Sequence, residues 1–298
     1  MTLGDESMRN RKAVIYAVMA ALLYAISAPI SKILLDEIQP TMLAALLYLG
    51  AGIGLWIVQW IQARVDPARL SPPRIAKEQS PYIFWMIPLD VLAPILLMFG
   101  LTMTSAANAS LLNNFEIVTT AMFALFFFKE KISKKLWLAI SLVTVSSLIL
   151  SIEDLSSLSF TLGSIFVLMA CLCWGLENNI TRVLSINRPI QIVIIKGLGS
   201  GFGSLLIAMF LNDVTLNPTY LVLALILGFF AYGLSILFYV LAQRDLGAAT
   251  TSAFYAFAPF MGAALSLMIF REPPSVKFIF ALSIMMVGAY FAYQDKKN

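Results

Sequence analysis

Four ionisable side chains, Asp90, Glu116, Glu177 and Lys196, stand inside long apolar runs of this sequence. A charge at the centre of a membrane helix costs about 2.5 to 3.5 kcal/mol, so each one kept there points to a task. Two kinds of chemistry suit the set. A buried carboxylate can hold and release a proton or bind an ammonium group, and the lysine can bind a carboxylate or pair with a neighbouring acid. Neutral polar and aromatic groups surround the four. Asn113 and Glu116 are three apart and share a face with Ser110, Trp174 and Asn178 are four apart, and Tyr232 and Tyr239 share one face of their run. Together with Tyr24 and Tyr255 these side chains can grip an organic solute. The candidate binding set is therefore Glu116, Asp90, Lys196, Asn113, Asn178, Tyr24, Trp174, Tyr232, Tyr239 and Tyr255, with Glu116, Asp90 and Glu177 as candidates for proton coupling or gating. An ion pair between Lys196 and Glu177 or Glu116, locking one gate, is the competing reading, and for Glu177 it leads.

Catalysis fits poorly. The chain has no histidine, which removes the commonest acid/base catalyst and the commonest metal ligand. Its two cysteines, Cys171 and Cys173, lie two apart in one apolar run and point to different sides of a helix, so neither a disulfide nor a metal site is expected. No cofactor is called for.

The elements that position these residues are set by composition. Hydrophobic residues make up 60% of the chain and charged residues 12%, and the mean hydropathy is +0.87. That is more apolar surface than one soluble core can bury, so the lipid bilayer is the solvent. The net charge of +4 belongs to short loops between apolar runs and does not indicate a nucleic-acid partner. Ten stretches are long enough to cross the hydrocarbon, at 12–35, 40–62, 82–102, 105–128, 134–152, 160–181, 189–211, 218–241, 247–270 and 275–294, numbered here as spans 1 to 10. Pro40, Pro81, Pro189, Pro218 and Pro274 stand at or beside first turns, where a missing N–H costs nothing. The N-terminal run, Arg9, Arg11 and Lys12 followed by apolar residues to about Leu35, is read as an uncleaved first span.

With the N-terminus cytoplasmic, sixteen of the twenty Lys and Arg fall in inside loops, three outside (Lys32, Arg271 and Lys277) and one, Lys196, within a span. This bias predicts two cytoplasmic termini and an even number of spans. By rise per residue, Asp90 lies about 12 Å from the inner end of span 3, Lys196 about 10 Å and Glu177 about 6 Å from the inner ends of theirs, and Glu116 roughly 13 Å from the inner end of span 4.

The chain also repeats itself. Ser105 to Glu130 laid on Gly247 to Glu272 gives eight identities in 26 positions without a gap, ending in "FKE" and "FRE". Earlier, "LYAISAPISKIL" (Leu23 to Leu34) matches "CWGLENNITRVL" (Cys173 to Leu184), and Gly50, Gly52 and Gly54 match Gly199, Gly201 and Gly203. Five spans are duplicated, and because five is odd the second copy enters the membrane upside down. The units run 1–152 and 153–298. The four charges are not duplicated: Glu116 aligns with Ala258, Glu177 with Ser27 and Lys196 with Leu47. The glycines of spans 2 and 7 have the spacing that lets helices touch, and Pro88 and Pro94 are expected to kink span 3 around Asp90.

This pattern, ten spans in two five-helix halves whose fourth spans close on a basic residue and Glu after "TSAANAS" and "LGAATTS", resembles the EamA-type branch of the drug/metabolite transporter superfamily. The resemblance implies an all-α polytopic membrane protein of two inverted five-helix repeats, with a central cavity lined by spans 1 to 4 and 6 to 9 and with spans 5 and 10 peripheral. It further implies a secondary carrier in a bacterial-type plasma membrane, since many such proteins export amino acids or other small metabolites. The charges then suggest an amino-acid-like solute whose carboxylate meets Lys196 and whose ammonium meets Glu116 or Asp90, with protons as coupling partner and a homodimer through the peripheral helices. An exporter of lipophilic cations, using the acids and aromatic rings alone, is the alternative, and Lys196 argues against it unless it is paired off. A sensor or an intramembrane enzyme ranks lower.

Overall fold

The computed structural model describes residues 3–65, 79–129, 133–154, 159–184, 189–214, 217–239, 241–242 and 255–295. Eight helices are long and apolar enough to cross a bilayer: Arg11–Leu34, Pro40–Val65, Ser80–Met103, Ala106–Phe127, Lys134–Ser151, Leu162–Thr181, Ile190–Phe210 and Pro218–Tyr239. Two shorter apolar helices, Ala258–Phe270 and Val276–Phe291, complete the ten. The expected start of span 9 at 247–254, and Glu130, lie outside the described residues. Large apolar side chains face outward along the helices, among them Trp56, Phe84, Trp85, Phe126, Leu206, Phe210 and Phe280. In lipid such exposure has no penalty, and helices are held by close packing instead.

The inversion can be read from the contacts. In the crossing of spans 2 and 7, Gly52 lies against Gly197 while Leu49, nearer the start of span 2, lies against Gly201, further along span 7. The two helices therefore run in opposite directions. A Cβ on Gly197 would stand 2.7 Å from the Cα of Gly52, so only glycine permits this approach. Spans 5 and 10 run antiparallel in the same way. Ser146 donates to the carbonyl of Ala281 at 2.6 Å, Val143 meets Gly288 further along span 10, and Lys277 at the start of span 10 donates to the carbonyl of Ile152 at the end of span 5. Lys129 and Arg271, the basic residues of the repeated ending, both take the left-handed conformation at φ 54°, so the echo in sequence is also an echo in backbone.

Four departures from regular α-helix were not anticipated. Span 1 is interrupted at Ile26, so that Ser27–Leu34 forms a separate helix. Pro29 lacks the N–H that would have bonded the carbonyl of Ala25, and Gly262 of span 9 closes on that carbonyl. Span 4 breaks at Asn113 and Asn114, between Ala106–Leu112 and Phe115–Phe128, through three successive i to i−3 hydrogen bonds from Asn114, Glu116 and Ile117. In its repeat partner a turn at Ala256 and Phe257, within the expected span, precedes the helix Ala258–Phe270. Span 8 widens to π-helix over Gly228–Leu234. Span 3, by contrast, stays helical from Ser80 to Met103 through both Pro88 and Pro94. Between the halves, Ile152–Asp154 and Ser159–Phe160 pair as a small antiparallel ribbon, an addition to the helical plan.

Candidate functional site

The polar groups of the spans gather into two clusters. In the first, Lys196 bridges two carboxylates. Its Nζ donates to Glu177 Oε2 at 2.7 Å and lies 3.3 Å from Asp90 Oδ2, the latter an ion-pair contact without hydrogen-bond geometry. Both acids are fully buried, and the lysine side chain keeps 12% exposure. Thr181, one turn from Glu177, donates to its other oxygen. Tyr48 of span 2 donates to Asp90 Oδ1 at 3.1 Å and accepts from Trp174 Nε1 at 3.2 Å. Spans 2, 3, 6 and 7 are thus tied by one network. Trp174, expected beside a solute, instead serves this network.

In the second cluster Glu116 opens the inner segment of span 4. Asn178 of span 6 donates to its Oε1 at 2.5 Å and also reaches Thr120 Oγ1 at 3.4 Å. Tyr24 lines a small void together with Asn113, three residues before Glu116, and its ring meets that of Tyr255. Those rings belong to a chain of aromatics: Tyr24 lies 5.4 Å from Tyr255 and 6.1 Å from Tyr232, Tyr239 lies 5.1 Å from Tyr255, and Tyr48 lies 5.6 Å from Tyr232. Ser27 donates to the Tyr232 hydroxyl at 2.9 Å. Among the described residues Glu116 makes no ion pair.

Between the two breaks in spans 1 and 4 lies a void of about 10 Å³, lined by Tyr24, Ser27, Ser110, Asn113, Pro259 and Gly262 among others. It has about the volume of one water, and among the described residues spans 1, 4 and 9 line it. Its packing has a physical cause: small residues at Ala25, Ala28, Ala258 and Gly262 let the helices close on one another. The hydroxyl of Ser110, buried at this void, has no hydrogen-bond partner. An orphaned buried hydroxyl beside a polar void marks a place that a polar guest would complete. The face expected to carry Ser110, Asn113 and Glu116 together is divided by the turn, with Ser110 and Asn113 toward the void and Glu116 beyond it.

The geometry corrects one pairing and adds several residues. Lys196 does not stand open to a solute carboxylate, because both acids nearest to it already hold it. Asp90, likewise engaged, lies apart from the void. Tyr48, Ser27, Thr120 and Thr181 were not anticipated, since a single hydroxyl in an apolar run has no periodic signature. For Tyr48 a signal existed, because it lies one turn from Gly52, at the glycine crossing that also carries Lys196.

Comparison with known proteins agrees with this architecture. The model of the EamA-like transporter family matches residues 11–152 and 161–294. A protein of Methanothermobacter thermautotrophicus described as an uncharacterized transporter is 28% identical over 307 aligned positions, covering 97% of this chain and 88% of that protein. One of Clostridium kluyveri, described in the same words, is 23% identical over 68% of each chain. A solved crystal structure superposes with a TM-score of 0.66 at 17% identity, covering 94% of this chain and 95% of the other, which speaks to fold alone.

Proposed function

Since this chain belongs to the EamA-like transporter family, we propose that it is a secondary transporter moving a small solute with an ammonium group across the plasma membrane by alternating access. The observation that carries the solute class is Glu116, a carboxylate without an ion pair among the described residues, three residues after Asn113, which lines a void with Tyr24, whose ring meets that of Tyr255. A carboxylate supplies the countercharge for an ammonium group, and tyrosine faces hold its alkylated side by cation–π attraction, worth about 2 kcal/mol or more when water is excluded. The neighbouring void, with the orphaned Ser110 hydroxyl and Asn113, is where such a solute would expand the packing.

Because Lys196 is held by Glu177 and Asp90, it no longer argues against a cationic substrate, and we favour an organic amine over a zwitterion. An amino acid is the second reading, favoured by the 12% exposure that Lys196 retains. Export in exchange for protons fits a carboxylate that can bind either a proton or an ammonium group but not both. Two inverted units, 1–152 and 153–298, would exchange conformations to open each side in turn. The charge bias of the loops supports cytoplasmic termini. A prokaryotic plasma membrane accords with relatives in an archaeon and a bacterium. Spans 5 and 10, on the periphery, would be the surface through which two copies pair.

Counterflow of labelled amines in proteoliposomes tests the reading. Glu116→Gln should lose at least tenfold in amine exchange while its melting temperature in detergent stays near that of the native chain, since only one hydrogen bond partner is altered. Native exchange by that variant would remove Glu116 from the mechanism, and exchange of neutral amino acids alone would favour the second reading.

A further inference from the structure

The outer face carries a second cavity that the reading above leaves unused. It is a cleft of about 220 Å³ where the outer ends of spans 4, 5, 9 and 10 meet. At about 30 Å³ per liquid water it has room for roughly seven waters, or one small organic solute. Its walls combine an acid, Glu272, an amide, Asn108, and apolar surface from Leu267, Pro274 and Phe278, with Lys277 at the rim. Glu272 is the acid of the repeated "FRE" ending and follows Arg271, whose left-handed backbone turns the chain at the end of span 9.

Glu272 is exposed and makes no ion pair among the described residues. It does act electrostatically on Lys32 of span 1, but that ammonium is bonded to the carbonyls of Leu101 and Thr104 at the end of span 3. Asn108 donates from its amide nitrogen to Thr104 Oγ1 and the carbonyl of Leu150, both at 3.4 Å, and its carbonyl oxygen takes no hydrogen bond among the described residues. The cleft thus offers one carboxylate and one amide oxygen as acceptors above an apolar floor. Such an arrangement suits a group with several N–H donors on a short alkyl chain.

We propose that this cleft is a second binding site, taking the primary ammonium group of a small solute on the outer side of the protein. It rests on the reading above in assuming the same class of solute. The short helix Ala106–Leu112 separates it from the central void: Ala107 and Asn108 line the cleft, and Ser110 and Asn113 line the void. Separations of two to six residues along the chain set the two sites about 3 to 9 Å apart in depth. A solute in the cleft stands one helix away from the inner site. Lys277, at the rim, donates to the carbonyl of Ile152.

The two sites differ in a way that separates them experimentally. Recognition at the cleft needs N–H donors, whereas a tyrosine cage also accepts a quaternary ammonium through its ring faces. Equilibrium binding of ethanolamine and choline to the full-length protein in nanodiscs should therefore give two equivalents of ethanolamine and one of choline. Glu272→Gln should keep one of each, and Glu116→Gln should keep one ethanolamine and no choline. Two equivalents of ethanolamine on Glu272→Gln, or a single one on the native chain that Glu116→Gln removes, would overturn the outer site and leave the inner one standing. A single equivalent removed by Glu272→Gln but not by Glu116→Gln would keep the cleft and overturn the inner reading, and no binding of either ligand would overturn both.

Discussion

Two junctions in this molecule occupy matching stations of the repeat and are built from different chemistry. Glu177, Lys196 and Trp174 of spans 6 and 7 align with Ser27, Leu47 and Tyr24 of spans 1 and 2. Around the first set the helices are joined by an ammonium between two buried carboxylates, backed by Tyr48. Around the second they are joined by a serine-to-tyrosine hydrogen bond and by ring contacts of Tyr24, Tyr48 and Tyr232, with Leu47 resting on Gly228. Ion pairs in a low dielectric tolerate little displacement, because a separated buried charge is costly. Ring contacts are worth about 0.5 to 1.5 kcal/mol each and slide with little loss. One junction is therefore suited to staying closed through a transport cycle, and the other to rearranging. The π-helical stretch Gly228–Leu234, which carries Tyr232, lies in the second. Such segments relax the hydrogen-bond ladder where a helix must adapt.

The largest test of this contrast removes the shared cation. Lys196→Met leaves Asp90 and Glu177 buried without a positive partner, and the expected destabilisation is about 3 to 5 kcal/mol. Thermal denaturation in detergent should show it as the sharpest drop among single substitutions in the spans. Replacing all three groups, as Asp90→Asn, Glu177→Gln and Lys196→Met together, should restore most of the stability, since no unpaired charge is left. If Lys196→Met melts like the native chain, the ion pairs do not hold this junction and the contrast fails.

Tyr48→Phe comes next in size. It deletes a hydroxyl that both donates to a buried carboxylate and accepts from Trp174, and hydrogen bonds to charged groups contribute about 1.5 to 3 kcal/mol. A loss in that range, absent when the same change is made in the Asp90→Asn background, would place Tyr48 in the charged network by a double-mutant cycle.

That network shows where sequence reading reaches and where it stops. Hydropathy is local, so the ends of the spans are legible: 40–62 was expected for span 2, and Pro40–Val65 is found. Which buried groups meet depends on how each helix is rotated and tilted against its neighbours, and composition does not encode that. Lys196 and Glu177 are nineteen residues apart on different spans; the sequence left both Glu177 and Glu116 open to the lysine, with pairing the leading reading for Glu177, and gave no sign of its contact with Asp90. The glycine pattern of spans 2 and 7 did carry information about rotation, because only glycine faces can cross so closely. The breaks at Ile26 and Asn113 hid for another reason. Each lies in a run whose hydropathy is continuous, and the cause in span 1, Pro29, acts on a carbonyl four residues earlier.

Tyr232→Phe is the smallest test and the most pointed. It is the same chemical change as Tyr48→Phe, made at the neutral junction, where among the described residues the hydroxyl accepts from Ser27 alone. A neutral hydrogen bond contributes about 0.5 to 1.5 kcal/mol, so stability should fall by less than in Tyr48→Phe. The kinetic consequence should run the other way. If spans 1 and 8 must slip past each other in each cycle, losing the bond that pins one arrangement changes the rate of amine exchange, while the affinity set by Glu116 stays within about twofold. Exchange rates and binding constants measured on both tyrosine variants decide the matter. A rate altered by Tyr48→Phe and untouched by Tyr232→Phe would assign motion to the charged junction instead, because the bond whose loss alters the rate is the one that the transition must break.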